Sequence, residues 1–179
     1  MSSESLDAEA LFKRHAAFVH RFLIRLGAPA ADVEDLVQEV FLVAHTHGGF
    51  VAGAAKPTTW LAQIAVNLVA NTRRKAQRRA PAEDVSLSGL PSPGDPQARI
   101  AAGQSLTRVQ EALEALDIDH RVVFVLFEIE REPCDEIAAG LGIPIGTVYS
   151  RLHKARLLFR DEFQRVAGTP AIAQLRRAQ

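Results

Sequence analysis

The chain has 179 residues, 21 of them Lys or Arg and 21 Asp or Glu, so its formal net charge is zero. That balance excludes a protein that coats nucleic acid or an acidic membrane through a general positive field. Hydrophobic residues at 47% and charged residues at 23% exclude global disorder. The single cysteine, Cys134, excludes an intramolecular disulfide framework and fits a reducing, cytoplasmic setting. No apolar run approaches the roughly 18 residues of a membrane span, so no membrane insertion is expected. The opening MSSESLDAEALFKR lacks a basic flank followed by an apolar core, so no signal peptide is expected either.

In chain order, Leu11, Phe12, His15, Phe18, Val19, Phe22, Leu23 and Leu26 follow one helical face, which Gly27 and Pro29 stop. Asp32 is placed to cap a second helix with the stripe Val33, Leu36, Val37, Val40, Phe41 and Ala44. Its other face carries Glu34, Asp35, Gln38 and Glu39. GGFVAGAAKP, residues 48–57, reads as a loop. A third helix from about Thr58 points Leu61, Ile64, Ala65, Leu68 and Val69 at a core. Gln63, Asn67, Asn71 and Arg74 fall on its other side at helical spacing. Residues 81–96, PAEDVSLSGLPSPGDP, hold four of the nine prolines and read as a flexible linker.

Beyond the linker, Leu106, Val109, Ala112, Leu113 and Leu116 form another stripe. The apolar run VVFVLFEI, residues 122–129, fits a buried strand or a helix by period alone. A helix is favoured, with Asp119 as its cap, because no second strand is at hand. Pro133 to Leu141 makes a short helix closed by Gly142, and Gly146-Thr147 opens a last helix with the core face Val148, Leu152, Ala155 and Phe159. Short helix, turn and longer helix form the helix-turn-helix pattern, whose second helix enters the DNA major groove. The expected fold is all-α: two small helical domains, residues 1–80 and 105–167, joined by a flexible linker, 81–104, and followed by a tail, 168–179.

Charge is segregated along this plan. Residues 49–80 hold six cations and no acid, and residues 146–160 hold four cations and no acid. Residues 1–48 hold 4 basic and 7 acidic side chains, and residues 105–167 hold 8 and 11. The run RRKAQRR, Arg73 to Arg79, would by itself be a solvated helix end favoured by the dipole. It follows a row of amides, however, and amides suit paired donor–acceptor contacts with base edges. The row and the run together point to nucleic acid more strongly than either alone.

The strings DVEDLVQEVFLVA, TTWLAQIAVNLVANTRRK, ALEALDIDHRVVFVLFEIE and DEIAAGLGIPIGTVYSRLHKARLLF, in this order around a Pro-rich linker, resemble a bacterial RNA polymerase sigma factor of the extracytoplasmic-function group. The resemblance covers residues 8 to about 163 and implies sigma regions two and four. It implies that Asp35, Gln38 and Glu39 dock on the clamp helices of core RNA polymerase, with the flap as a second contact. It places Trp60, Gln63, Asn67, Asn71, Arg73, Arg74 and Lys75 at the −10 promoter element, with Asn67 beside a flipped-out base. Thr147, Tyr149, Ser150, Arg151, His153, Lys154 and Arg156 fall on the helix that reads the −35 element. Tyr149 stands where many relatives carry Arg or Lys, Pro133-Cys134 replaces a commoner Ser-aromatic start, and Ile118-Asp119 replaces a Pro-rich turn. An anti-sigma factor is an implied partner.

Two other readings compete. An ordinary helix-turn-helix regulator would bind duplex DNA alone, as a dimer on spaced half-sites. A protein-binding helical adaptor would not need Arg151 or Lys154. The pairs His45 and His47, and His15 and His20, lack Cys or carboxylate partners at ligand spacing, so no metal site is expected. No cofactor loop, nucleophile–base pair or catalytic carboxylate pair emerges, so neither cofactor nor enzymatic activity is expected.

Overall fold

The computed structural model describes residues 5–53, 55–79 and 96–168, and the side chains of residues 75–79 and 96–104 are outside that description. Most of the expected linker and the tail beyond Gly168 therefore lie outside the described residues. Seven α-helices are present among the described residues: α1 (Ala8–Arg25), α2 (Val33–Thr46), α3 (Pro57–Arg79), α4 (Pro96–Glu114), α5 (Ile118–Phe124), α6 (Cys134–Leu141) and α7 (Ile145–Ala167). β pairing among them is limited to one isolated antiparallel bridge between Leu6 and Phe50.

The first half, α1 to α3, is built by the stripes read from the sequence. Asp7 caps α1 by accepting from Ala10 N at 2.8 Å. Leu11, Phe18, Val19, Phe22 and Leu23 are buried along it. Gly27, at φ 78°, takes the left-handed turn that ends it. α2 buries Val33, Leu36, Val37, Val40, Phe41 and Ala44, the whole expected stripe. Asp32 does not cap it: its backbone is helical within a 3₁₀ turn, Ala30–Asp32, and its side chain makes no capping bond. That turn already continues the chain into α2, which leaves the carboxylate no cap geometry.

In the second half, the apolar run is helical, as favoured over a strand. Asp117, not Asp119, caps α5, accepting from His120 N at 3.0 Å. The helix starts one residue earlier than expected, so Asp119 falls within its first turn, where an acid still suits the dipole. α5 then widens into a π-helical turn, Val125–Ile129, closed by Glu130 N donating to Val125 O. Arg131 follows at φ 62°, left-handed and uncommon for a residue with a Cβ. Leu106, expected in a core stripe, is 70% exposed. Its stretch of α4 reaches past the packed region, and the buried stripe begins at Ala112 and Leu113. α6 ends at Gly142, left-handed at φ 64°.

The two halves share one hydrophobic core, which runs from Leu11 and Phe22 through Leu61 and Ala65 to Val123, Ile137 and Leu152. Each fully buried Leu or Phe contributes about 1.5–3 kcal/mol relative to exposure. α3 lies against both α1 and α2 on one side and α6 on the other, so the helix carrying the amide row is also the helix that joins the halves.

Candidate polymerase and nucleic-acid interface

The residues assigned from sequence form three surfaces. The first is the outer face of α2. Glu34, Asp35, Gln38 and Glu39 are all exposed, and Leu42 extends the same face at 63% exposure. Their spacing of three and four residues aligns them on one side of the helix. An acidic and amide face with one protruding leucine has the composition of a protein-docking surface, with charge for orientation and an apolar anchor. Leu42 was not singled out from the sequence. Its only signal was an apolar residue at the wrong phase of an otherwise regular stripe.

The second surface lies on α3. A recess of about 330 Å³ is lined by Val43, His47, Trp60, Gln63, Ile64, Asn67 and Leu68. Phe50 and His47 hold the Trp60 ring from two directions, at centroid distances of 5.8 and 6.5 Å. His47 is itself fixed by its Nδ1, 2.8 Å from Val43 O. That bond requires Nδ1 to carry the proton, which leaves Nε2 of the neutral ring as an acceptor. His47 was absent from the sequence-derived set, because its position in the loop after α2 did not reveal that it returns to α3. Gln63 is half-buried, whereas Asn67 and Asn71 are exposed one turn apart along the same face. The recess thus offers one aromatic wall and several two-sided polar groups.

The cations beyond the amides separate. Arg74 is exposed, with Nε donating to Ala70 O at 3.2 Å. Arg73 turns inward, and its Nη2 donates to Leu26 O at 2.8 Å, at the end of α1. The side chain of Lys75 lies outside the described residues.

The third surface is the outer side of α7. Tyr149, Ser150, His153, Lys154 and Arg156 are exposed, while Thr147 and Arg151 are half-buried. Arg151 pairs with Asp119 at 3.0 Å. Arg156 pairs with Glu128 at 2.6 Å and lies 5.2 Å from the Phe127 ring centroid. Exposed ion pairs of this kind contribute at most about 1 kcal/mol, so both arginines can be drawn off by a phosphate. Ser150 Oγ donates to Thr147 O, which anchors it to the helix. No ion pair engages Lys154 among the described residues.

Beside α7, a groove of about 470 Å³ is lined by Phe127, Cys134, Ile145, Tyr149, Leu152 and Arg156, among others. Burial pushes the Cys134 thiol up, which keeps it protonated at neutral pH. Among the described residues no cluster of three or more His, Cys, Asp or Glu is arranged to hold a metal ion, and no helix is long and apolar enough to cross a membrane.

Comparison with known proteins joins these surfaces. Residues 11–79 match the family described as sigma-70 region 2, and residues 106–158 match sigma-70 region 4. The chain is 34% identical over 169 residues to the ECF RNA polymerase sigma factor SigL of Mycobacterium tuberculosis, covering 94% of this chain and 95% of that one. It is 37% identical over 164 residues to the RNA polymerase sigma factor HrpL of Pseudomonas syringae pv. syringae, covering 89% of each. Among solved structures, it is similar to CnrH in complex with the cytosolic domain of CnrY, with a TM-score of 0.60 and 25% identity, covering 90% of this chain and 89% of that one. It also has the fold of RpoE from Bartonella quintana, solved with the anti-sigma factor NepR, with a TM-score of 0.68 and 22% identity over 86% of this chain and 94% of that one. With an acidic docking face and an amide-lined recess in the first half and a helix-turn-helix in the second, the chain belongs to the ECF group of the sigma-70 family of RNA polymerase sigma factors.

Proposed function

We propose that this chain binds core RNA polymerase through α2, reads and opens the −10 element with α3, and reads the −35 element with α7. The observation that carries the reading is the recess on α3. Trp60 forms an aromatic wall there, and Gln63 and Asn67 bring amides to the same space. An extruded base needs stacking on one face and a donor–acceptor pair at its edge, and a duplex needs neither. An ordinary duplex-binding regulator would have no use for such a recess.

In this reading Asn67 holds a base of the opened non-template strand through its pairing edge, and Trp60 supports the melted junction. Asn71, Arg74 and Lys75 continue the track along the backbone. Thr147, Tyr149, Ser150, His153 and Lys154 meet the −35 major groove, with Arg151 and Arg156 exchanging their carboxylates for phosphates. Asp35, Gln38 and Glu39, with Leu42 as anchor, meet the polymerase clamp helices, and the flap is the contact of the second half. Catalysis stays with the polymerase. The protein acts in the cytoplasm, where polymerase and promoter are.

CnrH was solved bound to the cytosolic domain of a second protein. We infer that this chain likewise takes a protein antagonist, an anti-sigma factor, over its polymerase-binding surfaces. Run-off transcription tests the whole reading: purified core enzyme with this chain should initiate from specific sites in a genomic promoter library. Absence of initiation from every fragment would refute it.

A further inference from the structure

The seam between the halves contains buried charge, which a passive contact between two domains would not need. Arg121 is 3% exposed, deep in α5. Its Nη2 donates to Glu114 O and Leu116 O within its own half, and its Nη1 crosses to Leu26 O in the other half at 2.7 Å. On the opposite side of the seam, Glu132 is 9% exposed and accepts from Thr58 Oγ1 at 2.6 Å and from Lys56 Nζ at 3.1 Å. The left-handed Arg131 just before it sets the turn from which Glu132 faces α3. Arg25 pairs with Glu130, and Gln110 Nε2 donates to Ile24 O at 3.0 Å. A buried charge whose partner lies across an interface holds that interface to one geometry, since separation leaves the charge uncompensated until water reaches it.

Gly140 sets how near α6 comes to α3. A Cβ there would stand 2.4 Å from Thr59 Cβ and 3.0 Å from the Thr59 carbonyl carbon, and Thr59 is fully buried. Only a residue without a side chain fits. A Cβ on Gly142 would likewise stand 3.8 Å from Gln63 Nε2. Thr147 is five residues further on, at most about 18 Å of chain, so the surfaces assigned to the two promoter elements come within about 25 Å of each other. The elements themselves, by their names about 25 base pairs apart, are separated by about 85 Å of duplex at 3.4 Å per step. The arrangement seen cannot touch both.

We propose that this arrangement is a shut form of the chain, clasped by Arg121 and Glu132 around the close approach of Gly140 to Thr59, and that it must open before both promoter elements are engaged. The shut form stands on the seam itself; its action as a brake on promoter binding rests on the function proposed above. Closure discounts the affinity for promoter by the fraction of molecules open, with no partner protein required.

Gly140→Ala tests this in the full chain. Alanine is the better helix former, so α6 itself is not weakened, and the added methyl clashes only across the seam. Glu132→Gln is the second variant, because it removes the charge that Lys56 and Thr58 hold. Small-angle X-ray scattering should show a radius of gyration several ångströms larger for Gly140→Ala than for the parent, and a smaller increase for Glu132→Gln. With core RNA polymerase on a labelled promoter fragment, Gly140→Ala should bind at least about threefold more tightly. An unchanged radius for both variants, with helical circular dichroism and cooperative melting retained, overturns the shut form. A larger radius with unchanged promoter affinity overturns the brake. If no version binds polymerase, the sigma-factor reading fails, and scattering alone still decides the seam.

Discussion

Arg73 and Arg121, from opposite halves of the chain, donate to the same carbonyl oxygen, that of Leu26, at 2.8 and 2.7 Å. The carbonyl ends α1, where the helix dipole and unsatisfied C=O groups favour cations. Two guanidiniums there also repel each other. Burial, followed by the nearby Arg73, lowers the Arg121 pKa to about 10, which leaves it charged at neutral pH. Arg73 is thus committed to the fold, and its neighbour Arg74 is not.

The two adjacent arginines should therefore respond differently. Arg73→Ala should lower stability by about 1 kcal/mol, the loss of one charge-assisted bond being partly offset by relief of repulsion on Arg121. Arg74→Ala should leave urea melting unchanged and weaken promoter binding, with the salt slope reduced by about 1. Equal effects of the two changes on the salt slope would show that Arg73 leaves Leu26 to bind DNA.

Asn67 is exposed at the rim of the recess, so Asn67→Ala should fold normally and gain slightly in helix propensity. Open-complex formation, followed by permanganate reactivity of unpaired thymines, should fall roughly tenfold if the amide captures an extruded base. Initial holoenzyme binding to duplex promoter should change less than twofold. Equal losses in both steps would contradict base capture.

Much of this architecture is legible in the sequence, because a helix face is a local property. The α2 stripe from Val33 to Ala44 is buried residue for residue, and Gly27 and Gly142 end their helices as their chemistry requires. The seam is not legible. Arg121 stands in an apolar run, and nothing nearby in sequence says that its partner is Leu26 O, 95 positions away. Glu132 looked like one of many acids in an acidic half, yet it is buried against Lys56 and Thr58. Segment charges count ions without showing which are paired. The same limit applies to Arg151 and Arg156, whose one-sided basic face is offset by Asp119 and Glu128 from earlier in the chain.

That offset leads to a prediction on α7. Lys154, without an ion-pair partner among the described residues, should give the larger loss: Lys154→Ala is expected to weaken −35-dependent initiation by about 1–3 kcal/mol. Asp119→Ala should have the opposite sign. It frees Arg151 from an exposed pair of about 0.2–1 kcal/mol, so binding to a −35 duplex should tighten by up to about fivefold. The zero net charge gives the free protein little electrostatic steering, so the assay belongs in holoenzyme. Loss of affinity in Asp119→Ala would mean that Asp119 orients Arg151 for DNA instead of withholding it.

The outer face of α2 separates docking from folding most cleanly. Asp35, Gln38, Glu39 and Leu42 point away from the stripe that builds the core, and the last is 63% exposed. Glu39→Lys should leave thermal unfolding within about 0.5 kcal/mol of the parent, as surface changes do. It should slow association with core polymerase and make that association less sensitive to salt, since a rim charge acts mainly on the on-rate. Leu42→Ala should act on the off-rate instead, because an apolar anchor contributes after contact is made. Surface plasmon resonance with immobilised core enzyme resolves the two rates. If neither substitution alters association or dissociation while both proteins stay folded, the polymerase must be held by another surface, and the acidic face of α2 is only solvated.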